Sequence, residues 1–260
     1  MIDRAIDSGK EFDWGRASED YAKYRDIYPD EFYQAILSKG ICNDKSRILD
    51  IGTGTGVLPR HLAKFGGKFV GADISENQIR YARLLTEMAG LDIDYTVSPA
   101  EHLPFEDGSF DAVLACQCFY YFDKDRLFPE IYRVLKPGGR FLILYMEWLY
   151  YKSDIIKKSI AITNKYNPSW GGTRHENEVY PIPKQGEQYF SVLSNCSFPT
   201  DITFTRESFH GRMKSSRGVD AEMDPERIKL WEREHMDFLS SLPESFSVPH
   251  HIVIADLQKR

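Results

Sequence analysis

No stretch of the 260-residue chain approaches the ~20 consecutive apolar residues that a membrane-crossing helix needs. Cysteine is scarce: Cys42, Cys116, Cys118 and Cys196 only. Cys116 and Cys118 form one close pair, and no second pair accompanies them. Zinc-ligand spacing is therefore missing, no metal site is expected, and reduced, buried thiols are. An excess of positive charge is lacking too. The formal net charge is −6, which argues against a general nucleic-acid or anionic-membrane binder. The opening residues, MIDRAIDSGKEF, carry charges and no apolar core, so a secretory signal is not expected and a cytoplasmic location is. Internal repeats, low-complexity tracts and interdomain linkers are absent.

What is present centres on residues 47–74, RILDIGTGTGVLPRHLAKFGGKFVGADI. Ile48, Leu49 and Ile51 form an apolar run without polar alternation, as in a strand buried on both faces of a parallel sheet. Gly52, Gly54 and Gly56 follow, marking a tight turn on which a ligand can rest directly against backbone. Residues 57–65 carry the apolar stripe of a helix, which Gly66 and Gly67 stop. Phe69, Val70 and Ala72 make a second strand that ends at Asp73. The whole reads as a β-α-β unit with its ligand at the carboxyl ends of the strands.

Spacing narrows the ligand. A pyrophosphate site calls for G-x-G-x-x-G, but position 57 is valine and the pattern here is G-x-G-x-G. Asp73 still lies about 20 residues on, where a ribose-binding carboxylate belongs. A nucleoside without a pyrophosphate fits these residues better than a dinucleotide does, and S-adenosylmethionine is one such molecule.

LDIGTGTG, GADIS, AEHLPFEDGSFDAVLA and EIYRVLKPGGRFLI follow one another in order over residues 47–145. In this the chain resembles the class I S-adenosylmethionine-dependent methyltransferases, in particular the type 11 family. The resemblance implies a Rossmann-like, seven-stranded, mostly parallel sheet with helices on both faces and an antiparallel closing hairpin. It implies a methyl-transferring enzyme with S-adenosylmethionine as cofactor. It places Asp50, Gly52, Thr53, Gly54, Gly56, Asp73, Ile74 and Gln117 around that cofactor. Asp50 would face its amino group, with capping of the glycine-turn amides as the alternative. Ala100 and Glu101 would lie against the adenine, where a carboxylate suits the donor amine. Tyr21 and Arg25, from an N-terminal extension, would reach the methionine carboxylate or the substrate.

The expected organisation is an N-terminal helical lid (1–40), a cofactor-binding core (41–146), a helical insertion over the substrate (147–197), and closing strands and helix of the same domain (198–260). Within these, Asp30 is read as the cap of a helix through Leu37. Ser75 with Gln78 is read as a capping box for a helix over 76–89. Strands are expected at 93–97, 110–116, 140–145, 198–206 and 248–257, and helices at 127–135 and 226–242. KPGG is read as the turn into the fifth strand. Tyr120, Tyr121, Trp148, Tyr150 and Trp170 are expected to enclose a small, partly apolar substrate.

Asp123 and Asp125 find no third ligand and read as a helix start. NPSW (167–170) does not follow the fourth strand, so it reads as a loop turn rather than an amine-methylating motif. Tyr21 and His175 are the candidate catalytic side chains. His102, His210, His250 and His251 read as packed or surface residues. A small-molecule acceptor is expected, and no membrane partner. The alternatives are a transfer-RNA or other macromolecule methyltransferase, a nicotinamide-dependent oxidoreductase, and a non-catalytic cofactor-binding module.

Overall fold

The structure is a computed structural model described over residue 13 and residues 18–170 and 179–260, with Ser18 and Tyr21 described in backbone only. Seven strands form one sheet: β1 (Arg47–Ile51), β2 (Lys68–Asp73), β3 (Asp94–Val97), β4 (Phe110–Cys116), β5 (Leu135–Trp148), β6 (Phe190–Thr205) and β7 (Ser245–Lys259). Their order is β3-β2-β1-β4-β5-β7-β6. β1 to β5 are parallel. β7 runs antiparallel between β5 and β6, so six strands point one way. Strand order reverses between β1 and β4, and a crevice opens above the carboxyl ends there.

Helices cover both faces: α1 (Ser18–Tyr24), α2 (Asp30–Leu37), α3 (Val57–Leu62), α4 (Glu76–Met88), α5 (Lys124–Val134), α6 (Asp154–Tyr166), α7 (Arg206–Lys214) and α8 (Pro225–Ser240). One core layer joins Ile48, Leu114, Leu142 and Leu144 to α2, α6, α7 and α8. The other joins Leu49, Val113, Phe141 and Ile143 to α5. Alternate residues of one strand feed opposite layers, which is why these strands are apolar throughout. Each such fully buried aliphatic side chain contributes roughly 1.5–3 kcal/mol.

Several boundaries differ from the sequence expectation. Asp30 is not a cap: Pro29 occupies that position and makes no side-chain cap bond. α5 starts at Lys124, because Asp123 accepts from Asp125 N–H at 3.1 Å and opens the helix early. KPGG is a bulge within β5 rather than a turn before it. Phe110 pairs with Leu135 and Ala112 with Arg140, and Gly138 takes the positive φ this needs. β6 begins at Phe190, eight residues before the expected start. It pairs with β7 from Phe190 to Thr205 except for a bulge at Leu193, so cross-strand bonding rather than alternation defines it. α8 is capped by Asp224, which accepts from Arg227 N–H at 2.9 Å, with Pro225 as its first residue.

Side chains differ as well. Trp148 and Trp170 are core residues and not part of a substrate enclosure. Trp170 packs so closely on Gly218 that a methyl group at 218 would lie 2.3 Å from its ring. Asn167 of NPSW is buried and donates to Gly218 O at 3.0 Å and Glu222 Oε2 at 2.8 Å. Cys196 is exposed, against the buried thiols expected. It lies on β6, the outer edge of the sheet. There Asn195 makes side-chain bonds to both the N–H and the C=O of Tyr180 (3.1 and 2.6 Å), and Pro199 supplies no N–H.

Candidate active site

A cleft of about 550 Å³ lies above the carboxyl ends of β1, β2 and β4. Its floor is the glycine turn after β1. Gly52, Gly54 and Gly56 hold φ of 60°, 56° and 75°, in the left-handed region that glycine enters without cost. Gly52 faces a second constraint, since a Cβ there would lie 2.8 Å from Cys118. Gly56 heads α3 and faces Tyr95, whose hydroxyl would be 2.4 Å from a Cβ.

Asp73 ends β2 on the cleft wall. Its Oδ2 accepts from Gly54 N–H at 2.9 Å and its Oδ1 from Ser75 N–H at 2.8 Å. Each carboxylate oxygen has a further lone pair, so the residue can accept from a vicinal diol while staying fixed. Burial raises its pKa and these amide bonds oppose the shift. Ser75 accepts from Gln78 N–H at 3.4 Å and opens α4, whose first turn joins the same wall.

Asp50 does not line the cleft. It lies beneath the turn, 2% exposed, and its Oδ2 accepts from the Thr53 hydroxyl at 2.7 Å. Its Oδ1 is buried and accepts from no described residue. Burial, chiefly, raises its carboxyl to about 7; the Thr53 bond opposes this and the nearby Asp73 adds to it.

Of the residues expected around the cofactor, Arg25, Gly52, Gly54, Asp73, Ile74, Ala100, Glu101 and Gln117 share the wall. Thr53 and Gly56 support it from behind, as Asp50 does. The side chain of Tyr21 and all of His175 lie outside the described residues. Glu101 reaches the wall, but its Oε1 accepts from Asp123 N–H at 2.9 Å. Ile74 is 73% exposed, an apolar surface over the wall. The expectation missed Ser98, Cys116, Cys118 and Phe122. Cys116 and the segment after it follow the end of β4 at the switch point, and that position was the available signal. Burial pushes the Cys116 thiol up to about 12, so it stays protonated. Of the five expected enclosing aromatics, Tyr121 alone is on this wall, and Arg217 donates to its hydroxyl at 3.2 Å. No cluster of three metal-ligating side chains occurs among the described residues.

Fold and site together define a Rossmann-like methyltransferase with its nucleoside cleft at the switch point. A family model described as a methyltransferase domain matches residues 49–143. An uncharacterized methyltransferase of Schizosaccharomyces pombe is 30% identical over 228 residues, covering 84% of this chain and 81% of its own. Demethylmenaquinone methyltransferase of Thermus thermophilus is 35% identical over 147 residues, 55% of this chain and 59% of its own. A Bacillus halodurans structure assigned as a methyltransferase shares the fold, with a TM-score of 0.58 at 19% identity, covering 88% of this chain and 99% of its own. The chain belongs to the type 11 methyltransferase family, is an enzyme, and uses S-adenosylmethionine. The residues present fit that cofactor: a side-chain-free turn, a carboxylate with lone pairs to spare, and an unpartnered buried oxygen beneath the turn. No helix among the described residues is long and apolar enough to cross a membrane.

Two substitutions test the site. Asp73→Ala removes a charged acceptor worth roughly 1.5–3 kcal/mol per hydrogen bond. Titration calorimetry with S-adenosylhomocysteine should show about a ten-fold or greater loss of affinity, and an unchanged Kd in a folded variant would remove Asp73 from the site. Asp50→Asn tests the buried carboxyl. The folded chain holds this proton up to about pH 7, against an ordinary aspartate value of 3.8. Its stabilising contribution is therefore complete below about pH 4 and is lost as pH rises through 7. Without ligand, the variant should gain thermal stability relative to wild type between pH 5 and pH 8, by up to a few kcal/mol. Parallel melting curves across that range would mean that Asp50 does not titrate there.

Proposed function

We propose that the chain transfers a methyl group from S-adenosylmethionine to a small-molecule acceptor, beneath a cover formed by its N-terminal helix. The observation that carries this reading is the cleft: at about 550 Å³ it lies in the range of small-ligand sites. The Thermus relative, named for demethylmenaquinone, supports an acceptor of that size. When bound, the cofactor supplies a methyl group already activated by its sulfonium. The protein's part is then to align the acceptor and exclude water.

Asp73 holds the nucleoside end against the side-chain-free turn, whose Thr53, Gly54 and Gly56 amides are bonded within the protein. Ala100 and Glu101 flank the base, Glu101 through the oxygen not engaged by Asp123. Asp50 answers the amino group from beneath the turn, through its unpartnered oxygen. Arg25 faces the methionine carboxylate or the acceptor.

The cover is α1. Asp13 before it and Arg25 after it line the cleft, and the helix packs across α7. The Tyr24 ring lies on Gly211, and its hydroxyl donates to Glu207 at 3.1 Å. Lys23 pairs with Glu207 at 3.2 Å, and Lys214 with Asp20 at 3.0 Å. The first of these pairs is solvated and contributes little. Ring packing on a bare glycine carries the docking, so the cover can open at modest cost.

Incubating the protein with methyl-labelled S-adenosylmethionine and a fractionated metabolite extract should label a small molecule; label found only in macromolecules would reverse the acceptor class. For the cover, Gly211→Ala sets a Cβ 2.3 Å from the Tyr24 ring while favouring α7 itself. It should weaken S-adenosylhomocysteine binding several-fold and speed amide exchange over residues 18–28. In the wild type, ligand should slow that exchange. Exchange already slow without ligand, and indifferent to it, would make α1 fixed packing.

A further inference from the structure

Among the described residues, one non-glycine holds a positive φ: Gln117, at 61°. It follows β4 at the switch point and forms part of the cleft wall. Its backbone N–H donates to Leu144 O at 2.9 Å, and its Nε2 donates to Met146 O at 2.6 Å. Both bonds run to β5, so the side-chain amide is oriented from behind. One of the two Nε2 hydrogens is given to Met146 O, which orients the amide and leaves Oε1 as the other end of a fixed group.

Glycine adopts this backbone freely, and asparagine more readily than glutamine does. The position therefore keeps a side chain that its own backbone disfavours. Strain of this kind is retained where surrounding structure fixes it for a use. The donor end is anchored to the scaffold through one of its hydrogens, and the acceptor oxygen is the atom for which the scaffold shows no use.

We propose that Gln117 Oε1 positions the methyl acceptor, by taking a hydrogen bond from an N–H or O–H on the atom to be methylated. That bond fixes the direction of the nucleophile's lone pair. The new bond from nitrogen or oxygen to methyl forms as the methyl–sulfur bond breaks, with the electron pair staying on sulfur. The acceptor's proton then passes to water, because a carboxamide holds a hydrogen bond but is no base near neutral pH. The acceptor class is then a small amine or hydroxyl compound, unlike the quinone of the Thermus relative, which resembles it in size alone. This assignment rests on the small-molecule reading above.

Gln117→Gly and Gln117→Asn both suit the backbone and both withdraw the oxygen. For each, the S-adenosylhomocysteine Kd should stay within about two-fold of wild type. The melting temperature of the glycine variant should be unchanged or higher, because strain is relieved. Label transfer to the acceptor recovered from the extract should slow about 100-fold, the scale of a 1 Å misplacement. Several results would overturn the assignment: a ten-fold loss of S-adenosylhomocysteine affinity in both variants, a destabilised glycine variant, transfer at the wild-type rate, or a product methylated at carbon. A wild-type chain that labels no small molecule defeats the acceptor reading itself. Wild-type transfer with unaffected variants defeats only the role of Gln117.

Discussion

The site depends on backbone meeting backbone and side chain where no Cβ can fit. At the carboxyl ends of β1 and β2, Gly52 abuts Cys118, while Gly56 and Gly71 both abut Tyr95. A Cβ at Gly71 would lie 2.6 Å from the Tyr95 ring and 2.9 Å from Thr53. Tyr95 is in turn pinned by Thr86, the two hydroxyls lying 2.9 Å apart. Three glycines thus let one tyrosine and one cysteine press the turn into shape from two sides. The loop gains rigidity without presenting a side chain to the ligand. That is how a nucleoside can approach the backbone closely while the loop stays ordered.

Charge follows the same plan. Two carboxylates meet here, and Asp73 sits close enough to Asp50 to disfavour its ionisation. The fold meets Asp73 with two amides, from Gly54 and Ser75, and Asp50 with a single hydroxyl. The difference sorts their work. Asp73 is a fixed acceptor at the wall, whereas Asp50 is a carboxyl that a cation above the turn would ionise.

Legibility tracked the range of the forces involved. The glycine turn, Asp73, the Ser75 cap and the parallel strands are fixed by local backbone geometry and apolar runs, so they could be read directly. The antiparallel strands could not be bounded, because β6 ends where its pairing with β7 ends and not where a pattern stops. Trp148 and Trp170 read as enclosing aromatics because composition does not say which side of a strand or turn faces inward. Their burial follows from α7 and the π-turn Arg217–Ala221 lying against them. Cys118 and Phe122 were missed for a related reason. They reach the cleft through a chain reversal that begins at Gln117, and a positive φ on glutamine leaves no trace in the residue letters.

The outer strand has a consequence for how copies of the protein meet. Among the described residues β6 is an edge strand 16 residues long, and such an edge is a template for further strands. On β6 that template is interrupted twice: at residue 195, where the Asn195 side chain is bound to the Tyr180 backbone, and at residue 199, where proline has no N–H to give. Both features are of the kind that makes an edge strand a poor template for a second copy of the sheet.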